Sequence, residues 1–373
     1  MNSFEIIKGQ GGVPKALPNK DHVSGIIFCY ATTLSGYGYK VFETKEDAVA
    51  SITSEDYKVA KYHIEEYFRM QPAGRLWIGF AGTNSDLGTE VEAMQTFAEG
   101  EIRQIAVWNG TEQASDADIT ALQTSATKLE AMGTPLSILY TAMGAEGLTT
   151  SRKAGNCNVS VVIGEDLSAG SEAEAIRTAE KDGSGYKAIS AIGACLACVS
   201  LANVNESIAW VAKFNLGFSN VGLIGGVPVD DKTGLDGKGF LFCVKYDGVA
   251  GAYWNDSHTM DVATSDYNSI ESVRTIDKAC RGVRTYLLPY LASPVYLNDD
   301  GTMRADSLAN LKNVAGQALE AMERAGELSG YIVEIDANQN ILANSTVEFV
   351  IKNVAVGVMR NIKIKIGYTT NIE

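Results

Sequence analysis

Residues 306–369 read DSLANLKNVAGQALEAMERAGELSGYIVEIDANQNILANSTVEFVIKNVAVGVMRNIKIKIGYT and predict one long helix followed by three strands. Between residues 307 and 327 the apolar side chains recur at steps of three and four, which places them on one face of a helix. Residues 331–335 alternate as a strand, and residues 346–359 are rich in β-forming side chains. This stretch therefore predicts an α+β unit.

The third predicted strand covers residues 361–369 and alternates strictly. One face carries Ile362, Ile364, Ile366 and Tyr368. The opposite face carries Lys363 and Lys365. Such a strand offers unpaired backbone N–H and C=O groups along its edge, so we expect it to pair with another strand. Its partner lies either in the same chain or in a neighbouring subunit.

The length and composition indicate a globular protein with two or three domains. The chain has 373 residues, of which 46% are apolar and 20% are charged. Its formal charge of −14 argues against binding to nucleic acid or to an anionic membrane. The two ends, residues 1–20 and 346–373, each carry a formal charge of +2, which leaves −18 for residues 21–345.

The sequence predicts neither a secretory leader nor a membrane insertion. Residues 1–10 contain no apolar core of the kind found in signal peptides. The most hydrophobic run, residues 189–204, is interrupted by Ser, Gly and Asn and is shorter than a bilayer span of roughly 20 residues. Without a leader, we expect the six cysteines to be free thiols in a reducing cytosol.

Strands and helices alternate before the C-terminal unit, which predicts a mainly parallel sheet covered by helices. The predicted strands are residues 24–33, 75–80, 104–108, 135–140 and 159–164. The predicted helices are residues 53–70, 90–98, 115–132, 171–181 and 187–201. Residues 216–239, with seven glycines, indicate a loop or boundary.

Three segments follow or flank this alternation. Residues 240–254 predict a hairpin around Asp247-Gly248, and residues 267–288 predict a helix with Val273 and Cys280 facing inward. Residues 1–22 predict an extended arm with a short strand that includes Phe4 and Ile6. The expected division is thus an arm at 1–22, an α/β domain at 23–213 and a C-terminal domain at 214–373.

The residues that most often carry chemistry do not form a recognisable catalytic or metal motif. The histidines are His22, His63 and His258, and no Gly-x-Ser-x-Gly turn accompanies them. Cys195 and Cys198 have CxxC spacing but lie in an apolar helical run, which favours packing over redox or zinc chemistry. We therefore expect no cofactor, no metal and no catalytic residue.

The order of elements in residues 240–373 resembles that of the tail sheath proteins of contractile phage tails and related injection machines. The resemblance rests on an arginine-bearing helix (Arg274, Arg281, Arg284), a Pro-containing extended stretch at 292–295, a second helix ending near Gly330, and strands at 346–369. Residues 207–215 are similar to the sheath segment that joins the α/β domain to the core. The chain is identified as a divergent member of that group.

This resemblance implies a fold and a function. The fold is a subtilisin-like α/β domain without the protease triad, followed by a sheath core of two helices and a mainly antiparallel sheet. The function is that of a structural subunit, not an enzyme, which forms hexameric rings stacked helically around an inner tail tube. Its other partners are baseplate and tail terminator proteins, and its location is the virion tail, assembled in the cytoplasm of the host bacterium.

Terminal arms link subunits in this family, and the sequence offers candidates for both. The predicted linking residues are Phe4, Ile6, Ile362, Lys363, Ile364, Lys365, Ile366 and Tyr368. The alternative is a cytosolic α/β enzyme with a small-molecule pocket at the C-terminal ends of its strands, in which Asp256 and His258 are the best polar groups.

Overall fold

A computed structural model gives the structure of the chain and describes residues 21–31, 34, 36–82, 85–110, 114–142, 152–179, 189–229 and 232–369. The predicted arm strand with Phe4 and Ile6 lies outside these residues. None of the described helices is both long and apolar enough to cross a bilayer.

The described residues form strands and helices that alternate over most of the chain. The strands are β1 (Val23–Tyr30), β2 (Lys40–Phe42), β3 (Arg75–Gly82), β4 (Gln104–Asn109), β5 (Ser137–Thr141), β6 (Val159–Val162), β7 (Gly164–Asp166), β8 (Val221–Leu223), β9 (Val227–Pro228), β10 (Phe240–Leu241), β11 (Cys243–Val244), β12 (Tyr253–Trp254), β13 (Leu328–Glu334) and β14 (Val350–Ala355). The helices are α1 (Lys45–Ala50), α2 (Lys58–Met70), α3 (Leu87–Phe97), α4 (Asp116–Ala131), α5 (Glu172–Ala179), α6 (Ile192–Leu201), α7 (Lys232–Gly237), α8 (Ile270–Leu287), α9 (Ala305–Arg324) and α10 (Ile341–Asn344).

A seven-stranded sheet organises the first two thirds of the chain. Its order is β10-β6-β5-β4-β1-β3-β2. Only the edge strand β2 runs antiparallel to its neighbour, and the other pairings are parallel. Parallel neighbours need crossover connections, which helices supply here. The predicted parallel α/β sheet is therefore confirmed.

Both faces of this sheet are buried, as the continuous apolar runs of its strands require. Alternate side chains of β1 point to opposite faces. Ile26 and Phe28 lie in a core with α2 and α6, whereas Ile27 and Cys29 lie in a core with α3 and α4. We call this two-sided structure, formed by the described residues up to 269, the body.

The glycine-rich middle of the chain packs on the body. Strand β10 pairs with β6 at the edge of the seven-stranded sheet, and β11 and β12 form the predicted hairpin in a short form. Phe214 and Trp254 are both fully buried in the same core as α2 and α6. Packing therefore groups residues 214–254 with the body, although the sequence predicted a division between residues 213 and 214.

Helix α8 joins the body to the last part of the chain. Its first half is buried against the body, where Arg274 donates to the carbonyl oxygens of Ala202 and Asn203. Its second half contributes Ala279 to a small separate core. We call residues 288–369, which supply the rest of that core, the terminal unit.

The terminal unit matches the predicted helix and the first two predicted strands. Helix α9 packs on α8 and on the two-stranded antiparallel sheet β13–β14. The fully buried residues of its core are few: Ala279, Leu319, Met322 and Leu328. The inner faces of β13 and β14 lie against them through partly buried Tyr331, Val333 and Ile351. The core of this unit is thus much smaller than either core of the body.

Candidate subunit interface

Residues 361–369 do not form a strand, and each of them is exposed. The alternation remains visible in the sequence, but no described strand pairs with residues 361–368. Ile364 is 73% exposed and Ile366 is 91% exposed, which is unusual for isoleucine. Lys363 and Lys365 are exposed as well. We call residues 361–368 the C-terminal arm, and its apolar face is exposed in the described part of the chain.

Arg360 fastens the base of the C-terminal arm to the body. Its Nε donates to both carboxylate oxygens of Asp256 at 2.9 and 3.0 Å, and its Nη2 donates to Glu271 and to Ser257. The Glu271 side chain is only 5% exposed, and Ser257 also donates to it at 2.6 Å. Charge-assisted bonds of this kind are stronger than neutral ones, particularly where solvent is excluded. The arm therefore leaves the molecule from a fixed point.

Asp21, at the base of the predicted N-terminal arm, is fastened in a similar way. Its carboxylate accepts from Lys278 Nζ at 2.6 Å and from Arg281 Nη2 at 3.3 Å. Its backbone oxygen accepts from Gln104 at 3.1 Å and from Arg274 at 3.4 Å. These contacts lie between the sheet of the body and helix α8.

The surroundings of Asp21 are densely charged and nearly closed to solvent. Burial lowers the pKa of Arg103 and of Arg274 to about 10. Burial also raises the pKa of Asp277 to about 7, although Arg281 and Arg274 act against that rise. Each of these shifts has desolvation as its main cause, which marks this cluster as interior rather than surface electrostatics.

The sheet β13–β14 offers free edges and an apolar outer face. Its two strands pair only with each other in the described part of the chain, so each has one edge without a strand neighbour. Ile332, Val350 and Val354 are about half exposed on this sheet. Exposed apolar side chains also occur elsewhere in the terminal unit, at Leu291, Tyr296, Leu342 and Met359. Exposed apolar side chains beside open strand edges are typical of an interaction surface.

The groups proposed for an enzyme are engaged in structural contacts. Asp256 binds Arg360, and His258 Nε2 lies 3.0 Å from Asp236 and 3.7 Å from Asp256. A groove of about 560 Å³ lies elsewhere, lined by Glu43, Glu65 and their neighbours on α1 and α2. Among the described residues, no three His, Cys, Asp or Glu side chains are grouped to hold a metal ion.

Two other sequence motifs are interior. Cys195 and Cys198 are fully buried in α6, and burial raises the pKa of Cys198 to about 12, so the packing interpretation of the CxxC spacing is confirmed. His63 is also fully buried, stacks on Phe28, and has no hydrogen-bond partner for either ring nitrogen in the described structure. Burial lowers its pKa to about 3.

Sequence reasoning did not identify Arg360 or Asp21 as anchors. Arg360 and Asp256 are 104 residues apart, and Lys278 and Asp21 are 257 residues apart, so only the fold brings them together. A usable signal was the charged series Glu271, Arg274, Lys278 and Arg281 on one predicted helix. Its spacing repeats every three or four residues, which is the spacing of a buried helix face.

The fold is similar to that of solved sheath subunits. A chain in the baseplate structure of the anti-feeding prophage aligns with a TM-score of 0.64 and 14% identity over 99% of this chain and 100% of that one. A chain of the contracted helical sheath of the same prophage aligns with a TM-score of 0.62 and 15% identity over the same shares. The sheath tail protein from Listeria innocua aligns with a TM-score of 0.52 and 8% identity over 89% of this chain and 94% of that one.

These comparisons confirm that the chain has the fold of contractile-sheath subunits, as the sequence predicted. No curated protein matches it at the sequence level. Two family models match, the N-terminal domain of DUF2586 over residues 8–258 and its C-terminal domain over residues 266–373. Since these models together span nearly the whole sequence, the chain belongs to the DUF2586 family.

Proposed function

We propose that this protein is the structural subunit of a contractile tail sheath, which polymerises as a helical tube around an inner tail tube and contracts to drive that tube through a cell envelope. The observation that carries the proposal is the C-terminal arm, an alternating segment of exposed isoleucines without a strand partner in the described chain. A soluble subunit gains from such a segment only when another molecule covers it. The shared fold supports the same reading.

The arm links subunits by adding a strand to a neighbour's sheet. Pairing satisfies its backbone N–H and C=O groups, and burying one isoleucine stabilises the contact by roughly 1.5–3 kcal/mol. The sheet β13–β14 of the neighbour is the receiving surface that fits best, because both of its outer edges lack a strand neighbour in the described chain. Phe4 and Ile6 of the N-terminal arm are the second set of linking residues.

Strand links of this kind stay intact while rigid bodies rotate about them. The sheath stores its work in contacts between bodies and terminal units, and the arms keep neighbours connected as those contacts change. In this proposal the subunits form stacked hexameric rings, and the further partners are the inner tube, the baseplate and the tail terminator. The α/β body serves as a subtilisin-like but non-catalytic domain, and the assembled protein belongs to a virion tail built in the cytoplasm of the host bacterium.

The test removes the arm without touching its anchor. Deleting residues 361–373 leaves Arg360 in place, and none of the described residues that it removes belongs to any of the three cores. We expect a folded subunit with an unchanged thermal midpoint that forms no tubes in electron micrographs and sediments as a small species. Normal tubes from this truncated chain would refute the linking role.

A matched pair of variants separates sequence-specific pairing from mere length. Ile362→Asn together with Ile364→Asn changes the apolar face, whereas Lys363→Gln together with Lys365→Gln changes the opposite face of the same segment. Because these residues are exposed, neither pair affects the stability of the isolated subunit. We expect the asparagine pair to abolish tubes at low and high salt, and the glutamine pair to reduce assembly only at low salt.

A further inference from the structure

The two arm bases are fastened to the same helix. Glu271 of α8 receives Arg360 from the C-terminal side, and Lys278 and Arg281 of α8 receive Asp21 from the N-terminal side. Positions 271 and 278 are seven residues apart, which is about two turns and about 10 Å along the axis. The two arms therefore depart from neighbouring points on one rigid element.

These contacts lie in the interior of the subunit rather than on its surface. The side chains of Glu271, Lys278 and Arg281 are between 5% and 11% exposed. Lys278 also donates to Glu327 at 2.6 Å, which ties the same point to the start of β13. Breaking such a pair leaves a charge in a poorly solvated site, so each contact strongly favours one geometry.

Helix α8 is also the joint between the body and the terminal unit. Its first half is held by the body through Arg274 and Thr275, whose side chains donate to backbone oxygens at residues 202–204. Its second half packs on α9, where Gly282 faces Ala318 so closely that an added Cβ would lie 2.7 Å from the Cβ of Ala318. The body, the terminal unit and the bases of the two arms thus all contact helix α8.

We propose that α8 is a shared mount that fixes the position of the two arms relative to each other, with Asp21 and Arg360 as positioning residues. The inference rests on the proposed sheath function and deepens it. In an assembly, a neighbour held by one arm then keeps a set distance and direction from the neighbour held by the other. A force on one arm is transmitted to the other through about two turns of α8, without passing through the cores of the body.

The mount predicts non-additive effects on assembly. Asp21→Asn removes one fastening while Lys278 keeps Glu327, and Arg360→Gln removes the other while Glu271 keeps Ser257. We expect each variant to raise the lowest subunit concentration that gives tubes by about ten-fold or more, in sedimentation and electron microscopy at a temperature well below its thermal midpoint. For the double variant, this concentration should lie within about three-fold of that of the worse single variant. Loosening one base already removes the fixed position of the two arms relative to each other.

Controls separate positioning from stability. Arg360→Lys keeps a cation at the base and should assemble within about three-fold of the unchanged chain. Lys61→Gln removes an ion pair with Glu55 that includes no residue of either arm base, and this variant should assemble normally. If Arg360→Gln lowers the thermal midpoint by more than about 5 °C, Asp256→Asn tests the same contact from its other side.

Each result has one meaning. Single variants that assemble normally, while deletion of residues 361–373 still abolishes tubes, would overturn the mount and leave the sheath function standing. Effects that multiply in the double variant would also overturn it, because the two bases would then act independently. If the unchanged chain never forms tubes, both the sheath function and the shared mount are refuted.

Discussion

The body and the terminal unit place their apolar side chains in different environments. The body encloses a sheet between two helical layers, and its largest fully buried side chains include Trp108, Trp254 and Tyr140. The terminal unit contributes only three buried side chains, Leu319, Met322 and Leu328, to its small core, and it exposes isoleucines, valines and a tyrosine along its sheet and arm. Burial within the chain therefore stabilises the body, whereas much of the apolar surface of the terminal unit stays exposed in the isolated chain.

The comparison predicts a large difference between two truncations of apolar side chains. Phe28→Ala empties a site in the centre of the body core, where Phe28 contacts the rings of His63, Phe80 and Trp108. We expect it to lower the free energy of unfolding by about 3–5 kcal/mol. Val354→Ser on the exposed side of β14 should change that free energy by less than about 0.5 kcal/mol.

Urea denaturation of the isolated subunits measures both free energies of unfolding. The order of the two variants should reverse when tube formation is measured instead. At a temperature where both variants are folded, Val354→Ser should impair assembly more than Phe28→Ala. Equal losses of folding stability from the two variants would contradict the division of labour between the regions.

Lowering the pH tests the same comparison, because the core of the body contains the titratable imidazole ring of His63. The pKa of His63 is lowered to about 3 in the fold and is about 6.5 in an unfolded chain. The unfolded chain therefore binds a proton first as the pH falls, so this residue stabilises the fold fully above about pH 6.5 and loses that contribution as the pH falls toward 3.

The expected size of this contribution follows from the shift. Between pH 7 and pH 4.5, His63 should account for a loss of about 2–3 kcal/mol in the free energy of unfolding. His63→Phe keeps an aromatic ring beside Phe28 and should make the decline over that interval shallower by this amount, measured by urea denaturation at each pH. Parallel pH profiles for the two proteins would show that the ring is protonated without opening the core.

Among the substitutions of buried residues, the smallest expected effect is at the joint between the two regions. Gly282→Ala places a methyl group against Ala318, which outweighs the better helix propensity of alanine. We expect a loss of about 1–2 kcal/mol in the free energy of unfolding. Gly316→Ala on α9 is the matched control, since its nearest neighbour, the ring of Tyr331, is 3.5 Å from the added carbon. A stabilised Gly282→Ala protein would mean that α8 and α9 separate easily.

The sequence predicted most elements because their patterns are local. The run around Ile26 and Phe28 has the continuous apolar character of a strand buried on both faces, and the periodic face that includes Leu319 and Met322 predicted α9 to within a few residues. The fold class followed from the alternation of these elements. The same reasoning located the exposed apolar face of the C-terminal arm, because strict alternation is visible without a structure.

Non-local charge pairs escaped prediction. The apolar pattern of residues 267–288 placed Cys280 inward, but it is exposed, whereas Arg274 and Lys278 are buried. Charged residues are buried only when they have partners, and the partners here are far away in the sequence: Lys278 donates to the carboxylates of Asp21 and Glu327, and Arg274 donates to backbone oxygens at residues 202 and 203. The sequence also left open whether residues 361–368 pair within the chain, and no described strand pairs with them.

The lysines of the C-terminal arm have a consequence for the subunit before assembly. Bare isoleucine-rich segments tend to stack on copies of themselves and form fibres. Lys363 and Lys365 place like charges side by side in any such stack, which opposes self-stacking of arms, and natural proteins use lysine on open edges in this way. The same charges are attracted to residues 21–345, which carry a formal charge of −18, so free arms repel one another and are attracted to the acidic part of folded subunits.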